Sequence, residues 1–181
     1  MHGKIVVLLT ALLGCTAVFA EDVSVNYVFS EEIRADLSKM PRGPLKVAAF
    51  GDSREGGNPN LIAGDWNADK ALAAIVQDAL VQGFTKGKAA LVDSGENMTL
   101  EGSIASTALE TAETNGQTML RLTIRTQVRL QGSGGRTLWQ TTLFGRGESA
   151  QADGITPALH EALDRTVRGL LQDDYFLIEI Q

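Results

Sequence analysis

Gln117-Thr-Met-Leu-Arg-Leu-Thr-Ile-Arg-Thr-Gln-Val-Arg-Leu130 is the stretch that decides the fold. Leu120, Leu122, Ile124, Val128 and Leu130 alternate with Arg121, Thr123, Arg125, Gln127 and Arg129. Period two sustained this long predicts a half-buried antiparallel strand, with one face in a core and the other in water. Downstream, Gln131-Gly-Ser-Gly-Gly135 supplies a hairpin loop, and Arg136–Arg146 returns with Trp139 and Leu143 turned inward. Upstream, Met98, Leu100, Ile104 and Ala108 share one face of a strand over Met98–Ala108. These segments make a three-stranded meander.

Further out, two helical stripes appear. Leu72, Ile75, Val76, Ala79 and Leu80 predict a helix from about Asn67 to Gln82, capped by Asp65 or Asn67 and ended by Gly83. Leu159, Ala162, Leu163, Val167, Leu170 and Leu171 predict a second, opening at Thr156-Pro157. Short strands are expected at Leu45–Phe50, Ala89–Val92 and Tyr175–Ile180. A short helix is expected over Glu31–Met40, and a loop over Gly51–Gly64. Val23, Val25, Tyr27 and Phe29 alternate with polar neighbours, which predicts an extended segment with one buried face. The order strand, helix, strand, meander, helix defines an α+β domain: a mostly antiparallel sheet with two helices packed on one face.

The 181 residues form one domain, 21–181, behind a leader. Residues 1–20 have a short basic start, an apolar run from Ile5 to Leu13, and small residues before Glu21, the pattern of a secretory signal peptide. Two cleavage readings stand. Val18-Phe19-Ala20 suits ordinary signal peptidase and gives a soluble periplasmic protein. Leu12-Leu13-Gly14-Cys15 has the form of a lipobox, in which residues 1–14 leave and Cys15 is acylated, tethering the domain to a membrane, in the first place the outer one. All 22 acidic residues, but only 15 of the 16 basic ones, lie beyond residue 20. An acidic domain lacks the dense basic surface that nucleic acid requires, so no nucleic-acid partner is expected, and a membrane is reached only through the lipid.

Catalytic chemistry finds few residues. Cys15 is the single cysteine, and beyond the leader His160 is the single histidine. Neither a metal site nor a cofactor is expected. Phe50-Gly51-Asp52-Ser53 resembles the first block of the GDSL (SGNH) hydrolases, whose serine attacks an ester. That family places an aspartate three residues before its histidine; here Pro157 stands there, and Gly95-Glu96-Asn97 continues with Met98 where the asparagine block would need aspartate. Ser53 as a nucleophile is therefore the remote alternative. Gly51 to Gly56 has the glycine spacing of a phosphate-binding loop, but Gly57 and Asn58 replace the lysine and hydroxyl residue such a loop needs. Asp52 and Arg54 are read as a structural turn, the acid accepting backbone N–H groups and the arginine pairing with an acid. Carboxylates at 52, 55, 65 and 69 read as caps and solvated charges, and His160 as a helix-surface residue. Arg121, Arg125 and Arg129 fall on one strand face, about 13 Å apart at ~3.3 Å per residue. They are either a stripe for an anionic partner group or cross-strand partners of Glu101 and Glu148.

Asn26-Tyr27, the Lys46–Phe50 strand leading into Asp52-Ser53-Arg54, Ala79-Leu80-Val81-Gln82-Gly83-Phe84, Leu100-Glu101-Gly102-Ser103-Ile104 and Thr137-Leu138-Trp139 together resemble the YajG-like envelope lipoproteins, over about residues 23–175. The layout is also similar to LptE and the auxiliary lipoproteins of ABC transport systems. The resemblance implies an envelope protein of non-enzymatic role, often lipid-anchored, and carries over no catalytic residue. The expected function is that of an accessory or assembly protein acting through contacts with envelope proteins. The alternative is a carrier or sensor of a small amphipathic ligand, lipid or glycan.

Overall fold

The computed structural model describes residues 21–94 and 98–180. The leader with Cys15, and Gly95-Glu96-Asn97, lie outside the described residues. Three long strands dominate: β6 (Met98–Thr114), β7 (Gln117–Gly132) and β8 (Thr137–Ala150), preceded by the short β1 (Glu21–Val23), β2 (Leu45–Val47), β3 (Gly51–Asp52), β4 (Leu61–Ala63) and β5 (Trp66–Ala68). Three helices follow the same chain: α1 (Leu72–Lys86), α2 (Thr156–Leu171) and α3 (Asp174–Ile180). The main sheet runs β2-β6-β7-β8, antiparallel through β6, β7 and β8. Along the other edge β2, and further on β3, add parallel to β6. The fold is α+β.

The β7 alternation controls the packing. Leu120, Leu122, Ile124, Val128 and Leu130 are buried, as is Thr126 in the same row, while Arg121, Arg125, Gln127 and Arg129 are exposed. The inner face receives α2 directly, and α1 crosses α2. β8 meets α2 at Gly145 and Gly147, where a side chain would collide with the backbone of Ala162 and Ala158. Two glycines spaced by two on the inward face are what let helix and strand backbones approach this closely. β6 and β7 turn at Asn115-Gly116, both at positive φ, the dipeptide favoured in a two-residue hairpin. The hairpin lengthens β6 well past Ala108.

Several local expectations change. Helix α1 begins at Leu72 because Trp66–Ala68 is recruited as β5, paired with β1 and β4. The expected caps stand elsewhere: Asp65 lies in the turn between β4 and β5, and Asn67, within β5, accepts from Asn58 Nδ2. No side chain caps α1; instead the Leu72 N–H donates to Pro59 O. Gly83 does not end the helix. It sits within it, where a Cβ would strike Val167 of α2, so its smallness serves the helix crossing. Likewise α2 starts at Thr156 itself, with no side-chain cap at Ile155.

Glu31–Met40 is not helical. Residues 24–40 form an irregular strap over both helices, and helix side chains meet its backbone. Phe29 N–H donates to Gln82 Oε1, Lys86 Nζ donates to Ser30 O, and Leu37 N–H donates to Gly87 O. An isolated ten-residue helix is marginal, and these bonds offer the strap an alternative. Val25 and Phe29 are its buried anchors. The 51–64 segment is not all loop, since β3 and β4 lie within it. Residues 89–92 contribute a single bridge, Leu45 to Leu91, and no strand. Tyr175–Ile180 is helix α3: Asp173 Oδ1 accepts the Phe176 N–H, and Phe176 and Ile180, four apart, are buried together. Phe176 packs between Phe84 and Trp139, at ring-centre distances of 6.0 and 5.0 Å.

Candidate functional site

Among the described residues no helix lies upon the outer face of β6, β7 and β8. Its side chains are set by register. Arg121 stands between Glu110 and Glu148, Arg125 between Ser106 and Phe144, and Arg129 between Glu101 and Gln140. Arg121 Nε pairs with Glu148 Oε1 at 3.1 Å, and Arg129 Nη2 with Glu101 Oε2 at 2.6 Å. Gln131 Nε2 donates to the same Glu101 oxygen at 2.9 Å. Among the described residues no carboxylate pairs with Arg125; its guanidinium lies 5.4 Å from the centre of the Phe144 ring, itself 48% exposed. Arg146, opposite Thr123, also lacks a carboxylate partner among the described residues. The three sequence-singled arginines therefore share one face, two of them neutralised across strands. The free cations cluster at Arg125 and Arg146 beside an exposed aromatic ring. A shallow depression of about 530 Å³ opens on this face between Glu101, Ser103, Gln127, Arg129, Gln140 and Thr142.

Asp52 and Arg54 form a clamp at the parallel edge. The Arg54 Nε and Nη2 bind the two Asp52 oxygens at 2.9 and 2.6 Å, and the Arg54 N–H donates to Asp52 Oδ1. Nη1 reaches Leu61 O at 2.6 Å and Thr107 Oγ1 at 3.3 Å, so one guanidinium ties β3, β4 and β6. Both side chains are largely buried, and the Arg54 hydrogen bonds hold the Asp52 carboxyl below its usual range. The guanidinium is spent on this clamp. A cleft of about 590 Å³ beside it is lined by the 55–64 segment and residues 105–109 of β6.

Ser53 lies next to the clamp, its Oγ 2.5 Å from Ser103 Oγ and its N–H donated to Ile104 O. His160 belongs to a different cluster. On α2 its ring meets Tyr27 of the strap edge-on, with centres 5.5 Å apart, and the Tyr27 hydroxyl donates to Asp164 Oδ1 at 2.7 Å. Burial lowers the His160 pKa against the opposing pull of Asp164, and burial, then Asp164, pushes the Tyr27 phenol up. Among the described residues no imidazole thus reaches Ser53, and a hydroxyl needs a general base to become a nucleophile. Of the carboxylates at 52, 55, 65 and 69, Asp52 is held by Arg54 and Asp69 by the strap. Among the described residues no three His, Cys, Asp or Glu side chains converge as metal ligands, and no helix is long and apolar enough to cross a membrane.

Two features escaped sequence reading. One is the strap and its polar anchors, which no local pattern encodes. The other is the outward edge of β8, where the Glu148 N–H donates to Glu161 Oε2 of α2 at 2.8 Å. Its sequence signal was the Gly145-x-Gly147 spacing within a strand, which marks close approach of another backbone.

No family model matches this chain, and no curated protein matches it in sequence. Solved structures do match in fold. A Xanthomonas campestris protein of the DUF330 family overlays with a TM-score of 0.61 at 16% identity, covering 88% of this chain and 96% of that one. A hypothetical protein of Chlamydia trachomatis overlays with a TM-score of 0.52 at 9% identity, covering 75% and 97%. A minor lipoprotein of Acinetobacter baumannii overlays at 0.41 and 9% identity, covering 72% and 90%, an overlap too loose to distinguish folds. At these identities the shared property is architecture.

Proposed function

We propose that the protein is a non-enzymatic accessory protein of the bacterial envelope, exported by the 1–20 leader and acting through protein contacts made by the outer face of its sheet. The observation that carries this reading is the face itself. Three strands of 14 to 17 residues present it with no covering layer among the described residues, and it concentrates Arg125, Arg146 and the exposed Phe144 in one place. Arginine and aromatic side chains are the residue types enriched where proteins bind each other. An anchor at Cys15 would hold this face near a membrane, and release after Ala20 would let it diffuse; mass spectrometry of the mature N-terminus distinguishes an acylated Cys15 from a free Glu21.

The test is capture from detergent-solubilised envelopes with the wild-type chain and an R121E/R125E/R129E variant. A stable partner retained by the first and lost by the second supports the reading. Capture that is indifferent to the three reversals, or turnover of an ester abolished by Ser53→Ala, refutes it.

A further inference from the structure

We infer that the free edge of β8 is where this partner docks, adding an extended segment of its own chain as a further strand beside Gln140–Arg146. The inference rests on the reading that the protein works through protein contacts, and it specifies their form.

β8 is the last strand of its sheet, and its register with β7 is unbroken from Trp139 to Ala150. Residues of an antiparallel pair alternate between those whose N–H and C=O face the neighbouring strand and those that face away. Glu148 faces away, since its N–H is donated to Glu161 Oε2. By the same parity Gln140, Thr142, Phe144 and Arg146 also face away. Among the described residues no backbone group meets them across the edge. Their donors and acceptors run for about 20 Å at ~3.3 Å per residue.

Proteins ordinarily blunt such an edge with proline, a bulge or a cover. β6, the other long strand with an edge beyond its short partners, has a register shift between Ile104 and Ser106. β8 has neither proline nor bulge over this span, and Glu161 covers only its far end. An edge left regular and unpaired is the template used when a peptide joins a sheet.

Side chains specify the occupant. A strand added here would set alternate residues on the outer face beside Gln140, Thr142, Phe144 and Arg146. Among the described residues no carboxylate pairs with Arg146 or Arg125, and Phe144 is half exposed. The complement is a segment with an acidic side chain opposite Arg146 and an apolar one two residues away, opposite Phe144. A second copy of β8 fits less well. Two-fold pairing that sets an acid opposite Arg146 would use Glu148, whose N–H belongs to Glu161 and whose carboxylate belongs to Arg121.

The experiment uses the full chain and synthetic decapeptides that alternate valine with glutamate, lysine, phenylalanine or threonine in all combinations. Amide hydrogen exchange is followed residue by residue. Glutamate-plus-phenylalanine peptides should slow exchange at Gln140, Thr142, Phe144 and Arg146 about tenfold or more, leaving the already paired Thr141 and Leu143 unchanged. Lysine in place of glutamate should weaken binding about two- to fivefold. R146E should reverse that preference, and Gln140→Pro should weaken binding of every peptide. The inference is overturned if no peptide slows those four amides. It is also overturned if they are protected in the protein alone and increasingly so with concentration, the signature of a second copy. If the triple arginine reversal abolishes envelope capture while the edge stays open, the edge inference fails and the contact reading survives. If capture is indifferent to the reversal as well, both fail.

Discussion

Replacing Gly147 by alanine should destabilise this protein strongly, although alanine is the smallest possible addition. A Cβ at Gly147 would lie 2.8 Å from the Ala158 carbonyl carbon and 2.9 Å from the Ala162 nitrogen, and closer still to the Ala158 oxygen. Ordinary carbon contacts begin near 3.5 Å, and the obstructing atoms are helix backbone, which cannot rotate aside. Helix α2 must therefore retreat by roughly 1 Å from β8. Leu159, Ala162, Leu163 and Val167, all fully buried, would lose contact with the sheet as it moved. Overpacking of this kind costs about 1–3 kcal/mol, and a backbone collision belongs at the upper end. For a domain of this size about 3 kcal/mol lowers Tm by roughly 6–12 °C. Gly169, on the same helix, is the opposite case: its added Cβ would meet only Leu143 Cδ2, at 3.9 Å. There alanine fills ordinary space and restricts the unfolded chain, so Gly169→Ala should stabilise by about 0.5–1 kcal/mol. Both variants are measured by calorimetry and urea unfolding. A Gly147→Ala protein melting within about 2 °C of wild type would show that the strand–helix approach does not hold the layers together, and would refute the reasoning.

Two other outcomes follow from the clamp and the strap. Arg54→Met removes the partner of the Asp52 carboxylate and the bonds to Leu61 O and Thr107 Oγ1, and should cost about 1–2 kcal/mol in urea unfolding. Because the folded-state pKa of Asp52 is depressed, its stabilisation is complete at neutral pH and is lost as pH falls through that value, from about pH 5 downward. Asp52→Asn should be less stable near pH 7 and should lose that part of the acid dependence; an unchanged slope would remove Asp52 as its source. His160 also has a lowered folded pKa, so the unfolded chain binds the proton first and stability should decline as pH falls below about 6.5. His160→Gln should flatten the curve below about pH 6.5, read from chemical unfolding at each pH, and an identical curve would contradict the assignment.

The alternation of Leu120 to Leu130 determined that a strand lay here with one wet face, because burial at every second residue leaves no other regular conformation. The apolar stripes of α1 and α2 likewise determined two helices packed against the sheet. Such features are legible because a periodic pattern records its own surroundings. Tertiary structure alone decided the rest. Asn67 and Ala68 left the expected helix because, with Trp66, they found strand partners in β1 and β4, and Gly83 became a crossing point because α2 happened to pass there. Glu31–Met40 gave up a helix for bonds to residues far along the chain, as between Glu31 and Arg168 and between Leu37 and Gly87. Tyr175–Ile180 became helical because Asp173 capped it and Phe176 found Phe84 and Trp139. Short segments carry too little local free energy to choose their own form, so their conformation belongs to whatever the long elements place beside them.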